Sequence, residues 1–270
     1  MDRIHELLKK FKSGGLTEEE LIRELKLDYI ANIDGLAQLD IFRQTRTGIP
    51  EVIFAESKSN DNLIQIIERF LENQDLVLIS RINDNQLSSL NNFMLKHPEL
   101  QLERNGPGRI AKIFRKKPSS GDNKIQSEGS KGKIGVISAG TSDIPVAEEA
   151  KMVIEAMNCE VVTAYDVGIA GFHRIFAPLR EMLEADVDVI IVVAGMEGTL
   201  PGVVSALVQI PVIGVPTSTG YGMGGRGKGA LTTMLQSCSP GLTIVNIDNG
   251  FGAGASAALY AIHSNRKMSR

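Results

Sequence analysis

From residue 133 to the C-terminal segment the chain repeats one pattern five times: a short apolar run, then a helix-length segment. Residues 134–138, 161–164, 187–194, 211–215 and 242–247 have strand length. Residues 144–157, 172–183, 200–208, about 226–236 and about 252–263 read as the helices that follow them. The run 187–194 is apolar without alternation, as in a strand buried on both faces. Such a chain predicts a doubly wound parallel sheet with helices on both sides, three layers deep. In sheets of this kind ligands bind outside the carboxyl ends of the strands.

The pattern does not reach back to the start of the chain. Residues 117–132 hold a single apolar residue, Ile125, and cannot bury enough surface to offset ordering, so they read as a linker. The expected organisation is a small α/β N-terminal domain (1–116), the linker (117–132) and the domain carrying the chemistry (133–270). Residues 1–24 read as exposed helix, with a capping box from Thr17 to Glu20 ahead of Leu21. Strands are expected at 52–55, 76–80 and 110–114, and helices at 62–71 and 84–95. Around Gly48 and Pro50, Arg43 and Arg46 stand near Asp40 and Glu51. This is either a solvated turn with surface ion pairs or an anion clamp, since arginine forks match phosphate and carboxylate.

Of the 270 residues, 43% are hydrophobic and 23% charged, and the net charge is −3. That composition is globular and carries no nucleic-acid footprint. The longest apolar run, 189–195, is too short to span a bilayer. The charged N-terminus leads into no signal-peptide core. Two cysteines, Cys159 and Cys238, are too few for a disulfide framework, and a cytoplasmic location is expected.

The expected strand ends share polar or small residues. Gly140-Thr141-Ser142-Asp143 leads into a helix, where hydroxyls and backbone N–H groups suit an anion; Ser142 or Asp143 would also serve as a simple cap. Asp166 precedes the Gly171 turn that carries His173, which can move a proton near neutral pH, and Arg174, which can hold an anion. Glu197 lies within Gly195-Met196-Glu197-Gly198, placed to move a proton or orient a ring, or else to cap the next helix. Pro216-Thr217-Ser218-Thr219 runs on to Tyr221. Five such ends on one rim read as a site.

The glycine-rich run 222–229 fits two nucleotide-loop patterns weakly, and Gly229 stands where a P-loop needs a hydroxyl. It is expected to be a mobile, substrate-covering loop. Asn246, Asp248, Asn249 and Gly250 end the strand expected to be buried at 242–247. Gly250, Gly252 and Gly254 admit a ligand or another backbone. Cys238, just before that strand, is either a small core residue or a nucleophile.

The ordered run of Ala139-Gly140-Thr141-Ser142-Asp143, Asp166-Val167-Gly168, Gly171-Phe172-His173-Arg174, Ala194 to Gly198, Pro216-Thr217-Ser218, Tyr221-Gly222 and Asn246 to Gly254 resembles the LarB family. Its members are pyridinium-3,5-biscarboxylic acid mononucleotide synthases of nickel-pincer cofactor assembly. The C-terminal half is similar to PurE, the aminoimidazole ribonucleotide carboxylase, which implies a PurE-like, flavodoxin-like domain. Asp40, Arg43, Arg46, Gly48, Pro50 and Glu51 resemble that family's N-terminal domain. The resemblance implies that nicotinic acid adenine dinucleotide and CO2 are substrates, that C5 of the pyridinium ring is carboxylated and that AMP is released. It further implies assistance by magnesium and a homo-oligomer, an octamer by analogy with PurE. The family's reactive cysteine falls on Cys238; Glu197 and His173 become candidates for proton transfer. Asp143, Asp166 and Asp248 are candidates for magnesium. Arg226 and Lys228 depart from the family's more apolar loop. A PurE-like carboxylase or mutase of an imidazole ribonucleotide and a non-catalytic nucleotide binder are the alternatives; PurE chemistry needs neither Cys238 nor the N-terminal domain.

Overall fold

The computed structural model describes residues 2–27, 31–33, 37–39, 43–72, 74–116 and 131–268. Asp40 and residues 117–130 of the expected linker lie outside the described residues. The chain divides into two compact units, 1–103 with 111–117, and 104–110 with 118–270.

The first unit opens with α1 (Asp2–Lys12) and α2 (Glu18–Leu27). Glu20 N donates to Thr17 Oγ1 at 3.2 Å and Thr17 N to Glu20 Oε2 at 2.9 Å, the expected capping box. A short antiparallel pair follows, β1 (Ala31–Ile33) and β2 (Ala37–Leu39), then a five-residue helix α3 (Arg43–Thr47). After these come β3 (Val52–Phe54), α4 (Asn60–Leu71), β4 (Leu76–Ser80), α5 (Asp84–Lys96), β5 (Leu100–Asn105) and β6 (Ile110–Arg115). The second sheet of this unit has the order β3-β4-β6-β5. Leu63, Ile67, Val77, Ile79, Leu90 and Ile113 form its core. Ser59 and Asn83 cap α4 and α5, and buried Gln86 donates to the carbonyls of Ala55 and Lys58. Sequence reading missed β5. Its Gln101, Glu103 and Arg104 give a polar strand at the sheet edge, where only one neighbour is present to signal it.

The second unit carries β7 (Lys133–Ser138), α6 (Ile144–Ala156), β8 (Glu160–Ala164), α7 (Phe176–Glu184) and β9 (Val189–Ala194). It continues with α8 (Leu200–Ser205), β10 (Val212–Pro216), α9 (Lys228–Leu235), β11 (Leu242–Ile244) and α10 (Gly250–Met268). The five strands are all parallel, in the order β11-β10-β9-β7-β8. This is the flavodoxin-like arrangement, with its reversal between β7 and β9. Every residue of β9 is buried, as its unbroken apolar run requires. Helices α7, α8 and α9 close one face through Leu179, Met182, Val204, Ala230 and Met234; α6 and α10 close the other.

Two expectations need correction. The run 242–247 is not a buried strand. Only Leu242–Ile244 pair, at the sheet edge, with Thr243 exposed. Beyond Val245 the chain turns, and Asp248 N donates to Pro216 O at 2.9 Å. The helix expected over 172–183 opens as a 3-10 turn: residues 172–175 end the 3-10 segment Ile169–Ile175, which is kinked just ahead of them at Gly171 (φ −117°, ψ 52°), and α7 starts only at Phe176.

The glycines after β11 admit a backbone. A side chain on Gly254 would put its Cβ 2.5 Å from Ala150 O, and one on Gly250 would meet Val146 O. Spaced four apart, both face α6, with Ala253, Ala257, Ala258 and Ala261 buried beside them. Helix α10 is capped by Asn249, whose Oδ1 accepts from Gly252 N at 2.8 Å, and Glu149 Oε2 accepts from Phe251 N at 3.2 Å. In an exposed helix Gly→Ala stabilises by about 0.5–1 kcal/mol. Here Gly254→Ala is expected to destabilise by about 1–3 kcal/mol through overpacking, measured as a lower urea midpoint at unchanged slope.

Candidate functional site

A cleft of about 370 Å³ opens at the carboxyl ends of β7 and β9, the switch point where a sheet of this order binds ligands. Four loops wall it. After β7 come Ala139, Gly140, Ser142 and Asp143; after β8, Asp166, Gly168, Ile169, Ala170 and Arg174. Gly195, Met196, Glu197 and Thr199 follow β9, and Thr219 and Tyr221 follow β10.

The floor is one buried carboxylate. Asp143 is 4% exposed. Its Oδ2 accepts from Gly140 N at 2.9 Å. Its Oδ1 accepts from Thr217 Oγ1 at 2.6 Å and from Thr219 Oγ1 at 3.0 Å, and the two hydroxyls lie 2.8 Å apart. The loops after β7 and β10 are thus joined across the end of β9. Gly195 makes this possible, since a Cβ there would lie 2.7 Å from Thr217 Oγ1 and would also collide with Thr219 Oγ1. On the second wall Arg174 Nη1 donates to Asp166 Oδ2 at 3.0 Å. Asp166 holds φ at 57°, its N donating to Ser138 Oγ at 3.2 Å. Met196 also takes a left-handed φ of 50°, and the exposed carboxylate of Glu197 follows it into the cleft.

Of the residues singled out from sequence, Gly140, Ser142, Asp143, Asp166, Arg174, Gly195, Met196, Glu197 and Tyr221 line this cleft. Thr141 and His173 are exposed beside it but do not line it. Thr217 is fully buried under it. Ser218 N donates to Asp248 Oδ1 at 2.8 Å, Asn246 O accepts from Asn249 N, and Asn249 and Gly250 begin α10. Arg43 and Arg46 belong to the first unit; Arg43 pairs with Glu51 at 3.5 Å, and Arg46 is exposed.

Sequence reading passed over Thr219 as a site residue. Thr219 lies in the turn after β10, where no strand period marks it, and its hydrogen bond to Asp143 spans 76 residues of sequence. In the glycine-rich loop, the left-handed Gly227 (φ 76°) opens α9 and lies against Ile247, and Gly224 packs on Gly229. Arg226 and Lys228 do not line the cleft.

Cys238 lies elsewhere. It is exposed, in a groove of about 590 Å³ between α8 and α9, with Gly202, Val203, Met234 and Ser237. Among the described residues only Thr199 lines both groove and cleft. Gly241, three residues on, pairs with Val212 at the amino edge of β10, whereas the cleft is at the carboxyl edge. Four strand steps separate those edges by about 13 Å. The core reading of Cys238 thus gives way to an exposed thiol. The buried cysteine is Cys159, 6% exposed, whose thiol burial pushes up to about 11, so that it stays protonated at neutral pH.

Among the described residues no group of three or more His, Cys, Asp or Glu side chains is placed to hold a metal. Asp143 is taken up by the N–H and hydroxyls above, Asp166 by Arg174, and Asp248 accepts from Ser218. The three aspartates thus have protein partners and are not gathered into one cluster, and no helix among the described residues is long and apolar enough to cross a membrane.

A flavodoxin-like sheet with a polar cleft at its switch point defines an α/β protein of the class that binds its ligand beyond the strand ends. Residues 133–269 match the AIR carboxylase family, and residues 30–106 match the LarB/PurE-like N-terminal domain. An uncharacterized protein of Methanocaldococcus jannaschii is 45% identical over 260 residues, 96% of each chain. The N5-carboxyaminoimidazole ribonucleotide mutase of Pyrococcus abyssi is 34% identical over 134 residues, 48% of this chain and 71% of that one. The corresponding mutase of Thermotoga maritima is 32% identical over 133 residues, 47% and 72% of the two chains. The chain belongs to the LarB family, with a PurE-like C-terminal domain.

The contrast between the cysteines is directly testable. A thiol reagent such as Ellman's at pH 7.5 is expected to modify one cysteine per native chain, Cys238, and a second only after denaturation. Cys238→Ser is expected to abolish the native reaction.

Proposed function

We propose that the protein carboxylates and hydrolyses nicotinic acid adenine dinucleotide, releasing AMP and a pyridinium-3,5-biscarboxylic acid mononucleotide. The observation that carries this reading is the exposed thiol of Cys238 in a groove that borders a PurE-type cleft at Thr199. A pyridinium C5 is too electron-poor to attack CO2. Addition of the Cys238 thiolate to the ring places an electron pair in it and leaves a dienamine whose C5 is nucleophilic. C5 then bonds to the carbon of CO2. A base removes the C5 proton, the C–S bond breaks and aromaticity returns with the thiolate expelled. Glu197, exposed in the cleft, is the candidate for that proton. Water cleaves the phosphoanhydride in a separate step, and Arg174 is suited to hold an anionic group of the substrate.

In one copy the thiol and the cleft occupy separate depressions. The reaction therefore calls for a homo-oligomer in which Cys238 of one copy meets the cleft of another. Magnesium would arrive with the substrate's phosphates rather than on a protein site.

The second reading, a carboxylase or mutase of an imidazole ribonucleotide, is favoured by one observation: Cys238 is absent from the cleft, and such chemistry does not require it. Incubation with the dinucleotide, magnesium and labelled bicarbonate separates the two. Labelled dicarboxylated mononucleotide plus AMP is expected, while turnover of an imidazole ribonucleotide alone would favour the second. Cys238→Ser and Glu197→Gln are each expected to lose carboxylation by at least about 100-fold. Dissociating and reassociating the two variants together should restore about a quarter of the activity, the random-mixing fraction for a site shared between copies. No recovery would place thiol and carboxylate in one copy.

A further inference from the structure

The hydrogen-bond directions in the cleft floor give it a definite polarity. An ionised carboxylate only accepts. Three oxygens, Asp143 Oδ1, Thr217 Oγ1 and Thr219 Oγ1, stand 2.6, 2.8 and 3.0 Å apart with two hydroxyl protons between them. The shortest contact takes the proton of Thr217. If Thr219 turned its own proton outward, its oxygen would face both Asp143 Oδ1 at 3.0 Å and Thr217 Oγ1 at 2.8 Å with no proton between them, two bare contacts instead of one, so that proton also points inward, to one or the other. Gly140 N–H, the donor expected from sequence to greet an anion, is committed to Asp143 Oδ2. Of the two threonines, Thr217 is fully buried and Thr219 lines the cleft.

We infer that Thr219 presents a lone pair to the cleft and accepts a hydrogen bond from a ribose hydroxyl of the ligand, with Asp143 as the positioning residue that fixes this polarity. This corner selects a hydrogen-bond donor and rejects an anion, which leaves the anionic group of a ribonucleotide to Arg174 on the opposite wall. The inference shares with the proposed function the premise that the cleft holds a ribonucleotide, but it does not depend on which base or ring that ligand carries.

The test is calorimetric binding, without turnover, to the full-length protein. The probes are nicotinic acid adenine dinucleotide and an aminoimidazole ribonucleotide, each beside its 2′-deoxy and 3′-deoxy ribose analogues. For whichever parent binds, one deoxy analogue is expected to bind about tenfold more weakly than the parent. In Thr219→Val that ratio should fall to about one, and Thr219→Ser should restore it. Asp143→Asn should shrink the ratio, and adding Thr219→Val to it should change the ratio no further. Circular dichroism of each variant checks the fold, and the parent-to-analogue ratio is taken within one variant, so a merely structural loss would weaken both ligands alike. A ratio unchanged in Thr219→Val, a ratio of one in the native protein, or no binding of either ribonucleotide would each overturn the inference. Binding of the imidazole ribonucleotide alone, with the ratio controlled by Thr219, would uphold it while overturning the dinucleotide reading.

Discussion

The Asp143 carboxylate is the interaction on which the site depends. A buried carboxylate is costly unless it is hydrogen-bonded, and this one is served by an N–H from the loop after β7 and hydroxyls from the loop after β10. Those loops sit on either side of β9 in the sheet order, so the carboxylate ties the switch point together where the parallel strands end and their ladder stops. Gly195 completes the arrangement by having no side chain where the threonine hydroxyls stand. The cleft therefore inherits its floor and its polarity from one residue at the N-terminal entrance to α6.

The glycines divide into two physical roles. Gly195 clears space for a polar network, while Gly250 and Gly254 clear space for a helix backbone. Close approach of α6 and α10 holds the helical layer opposite α7, α8 and α9. Gly198 (φ 68°) does a related job on the other face, its Cα resting against the backbone of Ala230 at the start of α9. In a chain with 27 glycines, density alone says little about ligands. What each glycine touches is what assigns its role.

The separation of Cys238 from the cleft bears on how the chemistry is organised. Cys238, just past the end of α9, lies toward the amino edge of the sheet, whereas the wall after β8 stands at the carboxyl edge. The groove between α8 and α9 sets that exposed thiol beside apolar Val203 and Met234.

The sequence by itself determined the layered parallel sheet, because strand-length apolar runs alternating with helices have few other ways to bury themselves. It determined the rim as well: nine of the residues picked out from strand ends do line the cleft, since strand direction alone dictates which loops share an edge. Only the tertiary structure decided which polar groups were free for a ligand. Asn249 was spent on a helix cap, Gly140 N–H on Asp143, and Thr217 was sunk beneath Thr219. Likewise only the structure placed Cys238 in a different depression from Glu197. Local sequence reports which groups a loop carries; whether a donor or acceptor is already consumed depends on partners far away in the chain, as Asp143 and Thr217 are 74 residues apart, and that is settled only when the strands pack.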